Sequence, residues 1–183
     1  MILVDKQIKA MIQCRKISID PFDAGCVNPN SYDLHLGPGF MAAARTGYID
    51  PYSRDTITRA FYERNTNEII INPYDFVLGR TEETITLPAD IVGSVEGKSS
   101  LARLGLSIHQ TGGWIDAGFS GTITLEFYNC SPNPIILTAG MPIAQIVFFQ
   151  TAESETPYGT RGTSKYQNQM AATLSRYYKN RRV

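Results

Sequence analysis

The sequence is poor in the side chains that bind zinc or form disulfides. Its 183 residues include two histidines, His35 and His109, and three cysteines. The cysteines are far apart, whereas zinc sites use closely spaced Cys and His pairs, so the pattern predicts no zinc. An odd number of scattered cysteines also predicts no disulfide framework, which fits a reducing cytoplasm.

Net charge and long apolar runs are lacking as well. Lys and Arg number 17, as do Asp and Glu, so the formal net charge is zero. A general nucleic-acid binder would carry a basic surface, and this balance argues against one. The residues from Met1 to Lys6 run straight into charge, and no apolar stretch is long enough to span a bilayer. We expect a soluble, cytoplasmic protein with no membrane partner, and one small phosphorylated ligand remains compatible.

The sequence is rich in short runs of β-forming residues. Fifteen glycines and ten prolines separate these runs, which is typical of a sandwich or barrel. The length favours a single domain, 1–183. The predicted strands are Ser31–Leu36, Glu68–Ile71, Phe76–Leu78, Glu83–Thr86, Ile91–Glu96, Thr122–Asn129, Ile135–Thr138 and Ala144–Phe149.

Two short helices are predicted beside the strands. Asp5 is positioned to cap the first, whose apolar residues Ile8, Met11 and Ile12 recur at helical spacing. The second is Ser99–Leu104, with Ser99 or Ser100 as its cap.

The C-terminal region, 152–183, is predicted to be a flexible arm. It is polar, it contains Gly159 and Gly162, and it ends in a basic tail, Lys179–Arg182. A tyrosine, a cation and an amide (Tyr158, Lys165 and Gln169) suit a lid that closes over charge. The alternative is a disordered tail, which composition alone favours.

A first candidate motif, Gly97–Arg103, lies between a predicted strand and the second helix. Two hydroxyls, a run of backbone N–H groups and flanking cations suit a polyphosphate. An ordinary capped helix with surface charges explains the same residues and is favoured when the segment is taken alone.

A second and a third motif follow closely. In Gly112–Gly121, Asp116 stands between apolar residues; it either contacts a sugar hydroxyl or water, or caps a turn. In the strand Thr122–Asn129, alternation sends Glu126 away from the face that carries Leu125. In isolation, Glu126 is most simply a solvent-facing residue.

Taken together, these segments resemble the dCTP deaminase branch of the dUTPase-like family. The resemblance runs through Ser31–Gly37, Gly97–Leu106, Ile115–Asn129, Pro157-Tyr158 and Lys165–Gln169, in the family's order and spacing. It implies a mostly β, distorted β-barrel fold with a few short helices, and a homotrimer with active sites at subunit interfaces. It also implies dCTP and dUTP as ligands, with Mg²⁺ bound mainly through the triphosphate. Zinc-dependent deaminases carry His-x-Glu and Pro-Cys-x-x-Cys instead, and this chain has neither.

Carried over residue by residue, the resemblance assigns catalytic roles to Glu126, Ser99, Arg103 and Asp116. Substrate contacts are implied for Lys98, Ser99, Ser100, Leu101, Ala102, Arg103, Asp116, Thr124, Leu125, Glu126, Gln145, Tyr158, Lys165 and Gln169. Lys98 stands where many relatives have arginine. A single ammonium charge therefore replaces a guanidinium group that can donate two parallel hydrogen bonds to a phosphate.

The chain also resembles the bifunctional members, which continue from dUTP to dUMP. Where monofunctional bacterial deaminases carry His-Arg, this chain has Gly113-Trp114, as bifunctional members have Gly followed by an aromatic residue. Gln145 also resembles the corresponding residue of the bifunctional enzymes, whereas Gly112 stands where those enzymes usually have alanine. The resemblance therefore implies that Glu126 takes a proton from water and returns it to the leaving amine, and that the product is then hydrolysed. A monofunctional deaminase, a dUTPase without deaminase activity and a non-catalytic nucleotide-binding β protein are the alternatives.

Overall fold

The computed structural model describes residues 1–181 and consists mostly of β-strands, as predicted. The end of the arm, including Arg182 of the basic tail, lies outside the described residues. The strands are β1 (Ser18–Asp20), β2 (Tyr32–His35), β3 (Phe40–Ala43), β4 (Phe61–Arg64), β5 (Glu68–Ile71), β6 (Phe76–Thr86), β7 (Ile91–Gly97), β8 (Leu106–Ser107), β9 (Trp114–Ile115), β10 (Ser120–Asn129), β11 (Ile135–Thr138) and β12 (Pro142–Gln150). The helices are α1 (Asp5–Gln13), α2 (Arg54–Arg59) and α3 (Ser99–Ala102), with 3₁₀ turns at Ala24–Cys26, Tyr158–Thr160 and Tyr177–Lys179.

The strands form three antiparallel sheets that share one apolar core. The largest has the order β4-β3-β6-β10-β8, with β1 also paired to β6; the second is β2-β12-β7-β9, and the third is β11-β5. Side chains from all three sheets meet in one buried cluster, among them Tyr32, Ile71, Phe127, Leu137 and Phe148. Burying a large apolar side chain stabilises a fold by roughly 1.5–3 kcal/mol, so this shared core holds the sheets together.

The predicted barrel does not close as one hydrogen-bonded ladder within residues 1–181. At the seam between the first two sheets, β2 meets β6 through one isolated bridge, Leu36 with Thr81. Beside it, the buried Glu83 carboxylate accepts a hydrogen bond from the backbone N–H of His35 at 3.0 Å and lies 2.6 Å from its Nδ1. Pro38, just beyond β2, has no N–H with which to extend the ladder. The sheets are therefore joined at this seam by the single bridge, by a hydrogen bond from the Gly37 N–H to the Arg80 carbonyl at 2.9 Å, and by the Glu83 side chain.

Several strands are longer than predicted. The runs Phe76–Leu78 and Glu83–Thr86 are parts of one strand, β6, because β10 pairs along its whole length. A bulge in β10 lies between Thr122 and Thr124. Thr122, which alternation would place on the same face as Glu126, is buried because the arm covers it.

Both predicted helices exist, but their caps were predicted wrongly. Asp5 is the first residue of α1, and the cap is Val4, whose N–H donates to the Gln7 side chain at 3.0 Å. In α3, Lys98 occupies the cap position and Ser99 begins the helix. The helix α3 ends at Ala102, earlier than predicted.

The three cysteines, all within residues 1–181, are free thiols. Across residues 1–181, no helix combines the length and the apolar character needed to cross a membrane.

Candidate active site

Glu126 lies in the middle of β10, where alternation turns its side chain away from the buried Leu125 and Phe127. Its side chain is half-buried, and Oε2 accepts a hydrogen bond from the backbone N–H of Gln110 at 2.9 Å. The backbone N–H of Glu126 donates to the carbonyl of Ile108 at 2.8 Å. The segment 108–113 therefore runs beside the strand and orients the carboxylate.

Gly112, in that segment, faces the Glu126 carboxylate. A Cβ at position 112 would lie 3.4 Å from Oε1 of Glu126. Glycine thus leaves a space of about one methyl group beside the carboxylate, where the resemblance led us to expect alanine.

Glu126 lines a cavity of about 730 Å³, which lies within the usual range for small-molecule sites. We call it the Glu126 cavity. Six other residues of the predicted site also line it: Asp116, Trp114, Thr124, Tyr158, Lys165 and Gln169. The structure therefore brings the strand motif and the arm together, although they are distant in sequence.

The sequence analysis assigned no site role to seven polar residues of this cavity: Arg161, Thr163, Ser164, Tyr166, Thr173, Ser175 and Asn180. Arg161 could have been found, because it is a cation four residues before Lys165 in a predicted lid. Asn180 gave no signal, because its place depends on the chain folding back over the arm.

The arm is held along the start of β10 by backbone hydrogen bonds. Asn168 N–H donates to the carbonyl of Ser120 at 2.7 Å, and Thr122 N–H donates to the carbonyl of Gln169 at 2.9 Å. We call residues 118–122 the arm dock. Within it, the arm is bonded like an added strand.

Two glycines make this close approach possible. A Cβ on Gly118 would lie 2.5 Å from Cβ of Pro157, and one on Gly121 would lie 2.8 Å from the carbonyl oxygen of Gln169. Both have positive φ, +82° and +144°, which other L-residues rarely adopt. The arm dock therefore requires glycine at both positions.

Tyr158 shapes the part of the arm that carries Lys165. Its hydroxyl oxygen accepts hydrogen bonds from the backbone N–H groups of Lys165 at 3.1 Å and Tyr166 at 3.0 Å. Its ring packs against Phe119, with the ring centres 5.9 Å apart. The hydroxyl of Ser164 also donates to the Tyr158 carbonyl. Tyr158 thus positions Lys165 through the backbone.

Gln169 has one amide atom without a partner. Its Nε2 donates to the carbonyl of Thr122 at 2.8 Å, which fixes the orientation of the amide. Its Oε1 is buried and accepts no hydrogen bond from the described part of the chain. Since buried polar atoms are normally paired, this acceptor favours a ligand or water that donates to it.

The other predicted site residues do not line the Glu126 cavity. They are Lys98, Ser99, Ser100, Leu101, Ala102, Arg103, Gly113, Leu125 and Gln145. Leu125 is buried in the core, and Ser99, Ser100 and Arg103 are exposed at α3. One chain therefore presents the predicted residues in two places.

Lys98 and Gln145 belong to a second polar group, which we call the Lys98 cluster: Asn28, Ser31, Asp33, Lys98 and Gln145. Lys98 Nζ lies 2.6 Å from Oδ2 of Asp33, and Asn28 Nδ2 donates to Asp33 Oδ1 at 2.8 Å. The Ser31 hydroxyl donates to Oε1 of Gln145 at 2.9 Å. The Lys98 cluster joins β2, β12 and the end of β7, so the sheet itself fixes these side chains.

Two pKa shifts occur next to the Lys98 cluster. Burial raises the pKa of Tyr32 to about 12, and its hydroxyl accepts from the Asp23 N–H at 2.9 Å. Burial also raises the pKa of the Cys26 thiol, and the negative charges of Asp23 and Asp33 add to the effect. Both groups therefore stay protonated near neutral pH.

The described residues do not fit a magnesium site made by protein alone. Residues 1–181 contain no group of three His, Cys, Asp or Glu side chains placed to hold a metal ion. Of the residues that line the Glu126 cavity, Asp116 and Glu126 carry carboxylates. Mg²⁺ commonly takes one or two carboxylates and substrate phosphates. These two carboxylates would therefore need the phosphates of a bound nucleotide to complete a magnesium site.

Sequence comparison gives matches over the whole chain. A family model described as dCTP deaminase-like matches residues 2–151. A protein of Methanospirillum hungatei named "dCTP deaminase, dUMP-forming" is 50% identical over 100% of this chain and 99% of its own. A protein of the same name from Mycobacterium ulcerans is 45% identical over 98% of this chain and 97% of its own.

Comparison of structures gives a similar match. A crystal structure of 2′-deoxycytidine 5′-triphosphate deaminase from Agrobacterium tumefaciens superposes with a TM-score of 0.62 and 29% sequence identity. The match covers 80% of this chain and 46% of the other, so this chain spans just under half the length of that protein.

Proposed function

The chain belongs to the dCTP deaminase-like family, and we propose that it deaminates dCTP to dUTP and ammonia and then hydrolyses dUTP to dUMP and pyrophosphate. The observation that carries this proposal is the Glu126 carboxylate, oriented by Gln110 on the wall of a nucleotide-sized cavity. The names of the full-length relatives support both reactions.

In the first reaction, Glu126 acts as base and then as acid. It removes a proton from the water that attacks C4 of cytosine and delivers this proton to N3. It then takes the remaining proton of the new C4 hydroxyl and delivers it to the amine, so that the C4–N bond breaks and ammonia leaves. Water and dCTP thus give dUTP and ammonia, and the carboxylate returns to its starting state. The chain lacks the His-x-Glu and Pro-Cys-x-x-Cys signature of the zinc-dependent deaminases, so Glu126 is proposed to activate the water without zinc.

In the second reaction, a water attacks the α-phosphorus of bound dUTP and pyrophosphate leaves. Asp116, exposed at the same cavity, is proposed to orient that water and to hold the deoxyribose 3′-hydroxyl. Mg²⁺ is proposed to bind mainly to the triphosphate, as its counter-ion, and so to arrive as part of the substrate. Gly113 and Trp114 remain the proposed markers of this second activity.

Substrate binding is proposed to use residues from both places. Thr124, Leu125 and Glu126 would read the base through the strand backbone, and Tyr158, Lys165 and Gln169 of the arm would contact the triphosphate. The segment 98–103 (Lys98, Ser99, Ser100, Leu101, Ala102 and Arg103) and Gln145 would complete the site. The arm, 152–183, is proposed to act as the lid of a single domain, 1–183.

We propose a homotrimer in which a second copy supplies the segment 98–103 to each Glu126 cavity. Within one chain, these residues do not reach that cavity. The β5–β11 ribbon also exposes Ile70 and Ile136, which pair across its two strands and suit burial against another copy. The proposal includes a cytoplasmic location and no nucleic-acid or membrane partner.

One assay tests the proposed function. Purified protein is incubated with Mg²⁺ and dCTP while ammonia and pyrophosphate are followed together; equal amounts of both are expected. Ammonia and dUTP without pyrophosphate would contradict the second reaction. If a parallel incubation with dUTP gave pyrophosphate while dCTP gave no ammonia, the first reaction would be contradicted.

A further inference from the structure

The two lysines assigned to the triphosphate have different surroundings. Lys98 is paired with the carboxylate of Asp33, so its charge is neutralised within the chain. The Lys165 ammonium, in contrast, donates to Oδ1 of Asn180 at 2.6 Å and lies 5.7 Å from the ring centre of Tyr177. Both of these partners are uncharged.

The C-terminal segment that supplies these partners, 175–180, is anchored on two sides. The ring of Tyr177 packs edge-on against Tyr52, with the ring centres 5.3 Å apart. The backbone N–H of Arg176 donates to the hydroxyl of Tyr166 at 3.0 Å, and its guanidinium donates to the carbonyl of Lys165. The segment therefore connects the body with the earlier part of the arm, next to Lys165.

Asn180 also lines the Glu126 cavity, together with Lys165 and Ser175. A lysine side chain has high rotamer freedom, and fixing it on ligand binding costs free energy. An amide oxygen and an aromatic face fix the ammonium but leave its positive charge for an anion. A carboxylate in the same place would cancel that charge.

We propose that Asn180 and Tyr177 are positioning residues that hold Lys165 at the wall of the Glu126 cavity for the phosphates of the nucleotide. The inference rests on the proposed function, because it takes a nucleoside triphosphate as the ligand. Neither residue touches the reacting atoms; both act through Lys165.

Binding of dCTP tests the proposal without turnover. Trp114 is the only tryptophan of the chain and lines the cavity, so its fluorescence reports the Kd. In a Glu126→Gln background, N180A and Y177L should each raise the Kd for dCTP about three- to tenfold, the net size of one weak polar contact. N180D should weaken binding more, because a carboxylate would pair with Lys165. Y177F, which keeps the ring, should bind dCTP normally.

The matched control is Lys179→Ala, which removes a charge from the same turn without touching the cavity and should leave the Kd unchanged. A double-mutant cycle with K165A gives the decisive result. N180A should have no further effect once Lys165 is gone. An equal loss in the K165A background, or unchanged binding in N180A and Y177L, would overturn the proposal. The ammonia assay on the unaltered protein tests the proposed function separately.

Discussion

Gly112 and Glu126 face each other so closely that a methyl group on residue 112 would reach van der Waals contact with the carboxylate, at 3.4 Å from Oε1. The proposed acid–base group is therefore positioned partly by the absence of a neighbouring side chain. A base displaced by about 1 Å can lose roughly 10²-fold in rate. The size of residue 112 is thus coupled to the chemistry at residue 126.

Substitutions of Gly112 should follow side-chain size. G112A places its methyl group in the available space and should retain ammonia release within about threefold, whereas the branches of valine in G112V would displace the carboxylate and lower kcat about 10²-fold. Steady-state ammonia release measures both. Equal activity of G112V and the unaltered protein would show that the size of residue 112 does not affect the position of the Glu126 carboxylate.

Glu126→Gln should abolish catalysis and retain binding. Glutamine keeps the shape but cannot accept the proton of the attacking water, so ammonia release should fall by about 10²–10⁴-fold. The Kd for dCTP, read from Trp114 fluorescence, should stay within about threefold, because the charge of Glu126 is proposed to act in the reaction rather than in phosphate binding. Retained turnover would reject Glu126 as the base.

Gly121→Ala should detach the arm from the arm dock. The added Cβ would lie 2.8 Å from the Gln169 carbonyl, so trypsin should cut at Arg161 and Lys165 faster and the KM for dCTP should rise about tenfold. Gly162→Ala is the matched control, since a Cβ there meets nothing within 4 Å. Similar cleavage of both variants would mean that the dock does not hold the arm.

Mixing two inactive variants tests the shared site. If a second copy supplies Arg103, subunit exchange between E126Q and R103A should restore about a quarter of the sites. About half of the sites would have an intact Glu126, and about half of those would receive an intact Arg103 from the neighbouring copy. Ammonia release is measured before and after exchange under mild denaturant. A mixture that stays inactive after verified exchange would argue that each site lies within one chain.

Glu83→Ala should destabilise the fold strongly. It leaves the His35 N–H without its acceptor at the seam between two sheets, which should lower the free energy of unfolding by about 2–4 kcal/mol. Urea unfolding at constant m-value measures the loss. The neighbouring, exposed Glu82→Ala is the control and should change it by less than about 0.5 kcal/mol. If both substitutions lowered the free energy of unfolding equally, the contact of Glu83 with His35 would have no special role in stability.

Local patterns predicted the parts of the molecule that depend on local physics. The alternation in β10 predicted the direction of Glu126, and the composition predicted a mostly β chain. The break predicted within β6 was wrong, because its polar residues have partners far away in sequence: Glu83 pairs with His35, 48 positions earlier.

Only part of the candidate site was predicted, because its residues are brought together by contacts between segments that are distant in sequence. The arm residues Lys165 and Gln169 were found as a polar group on a presumed lid, but no pattern showed that they line one cavity with Glu126. The place of Asn180 depends on chain reversal after the arm, and that reversal depends on contacts such as that of Tyr177 with Tyr52.

The arm dock has a consequence for protein engineering. Gly118 and Gly121 leave room for the arm, and the arm's own Gln167 and Gln169 donate hydrogen bonds to the carbonyls of Gly118 and Thr122, so the fit depends mainly on these few residues. A lid of equal length from a relative with another nucleotide preference can therefore be transplanted onto this scaffold, with the two glycines retained as its landing points.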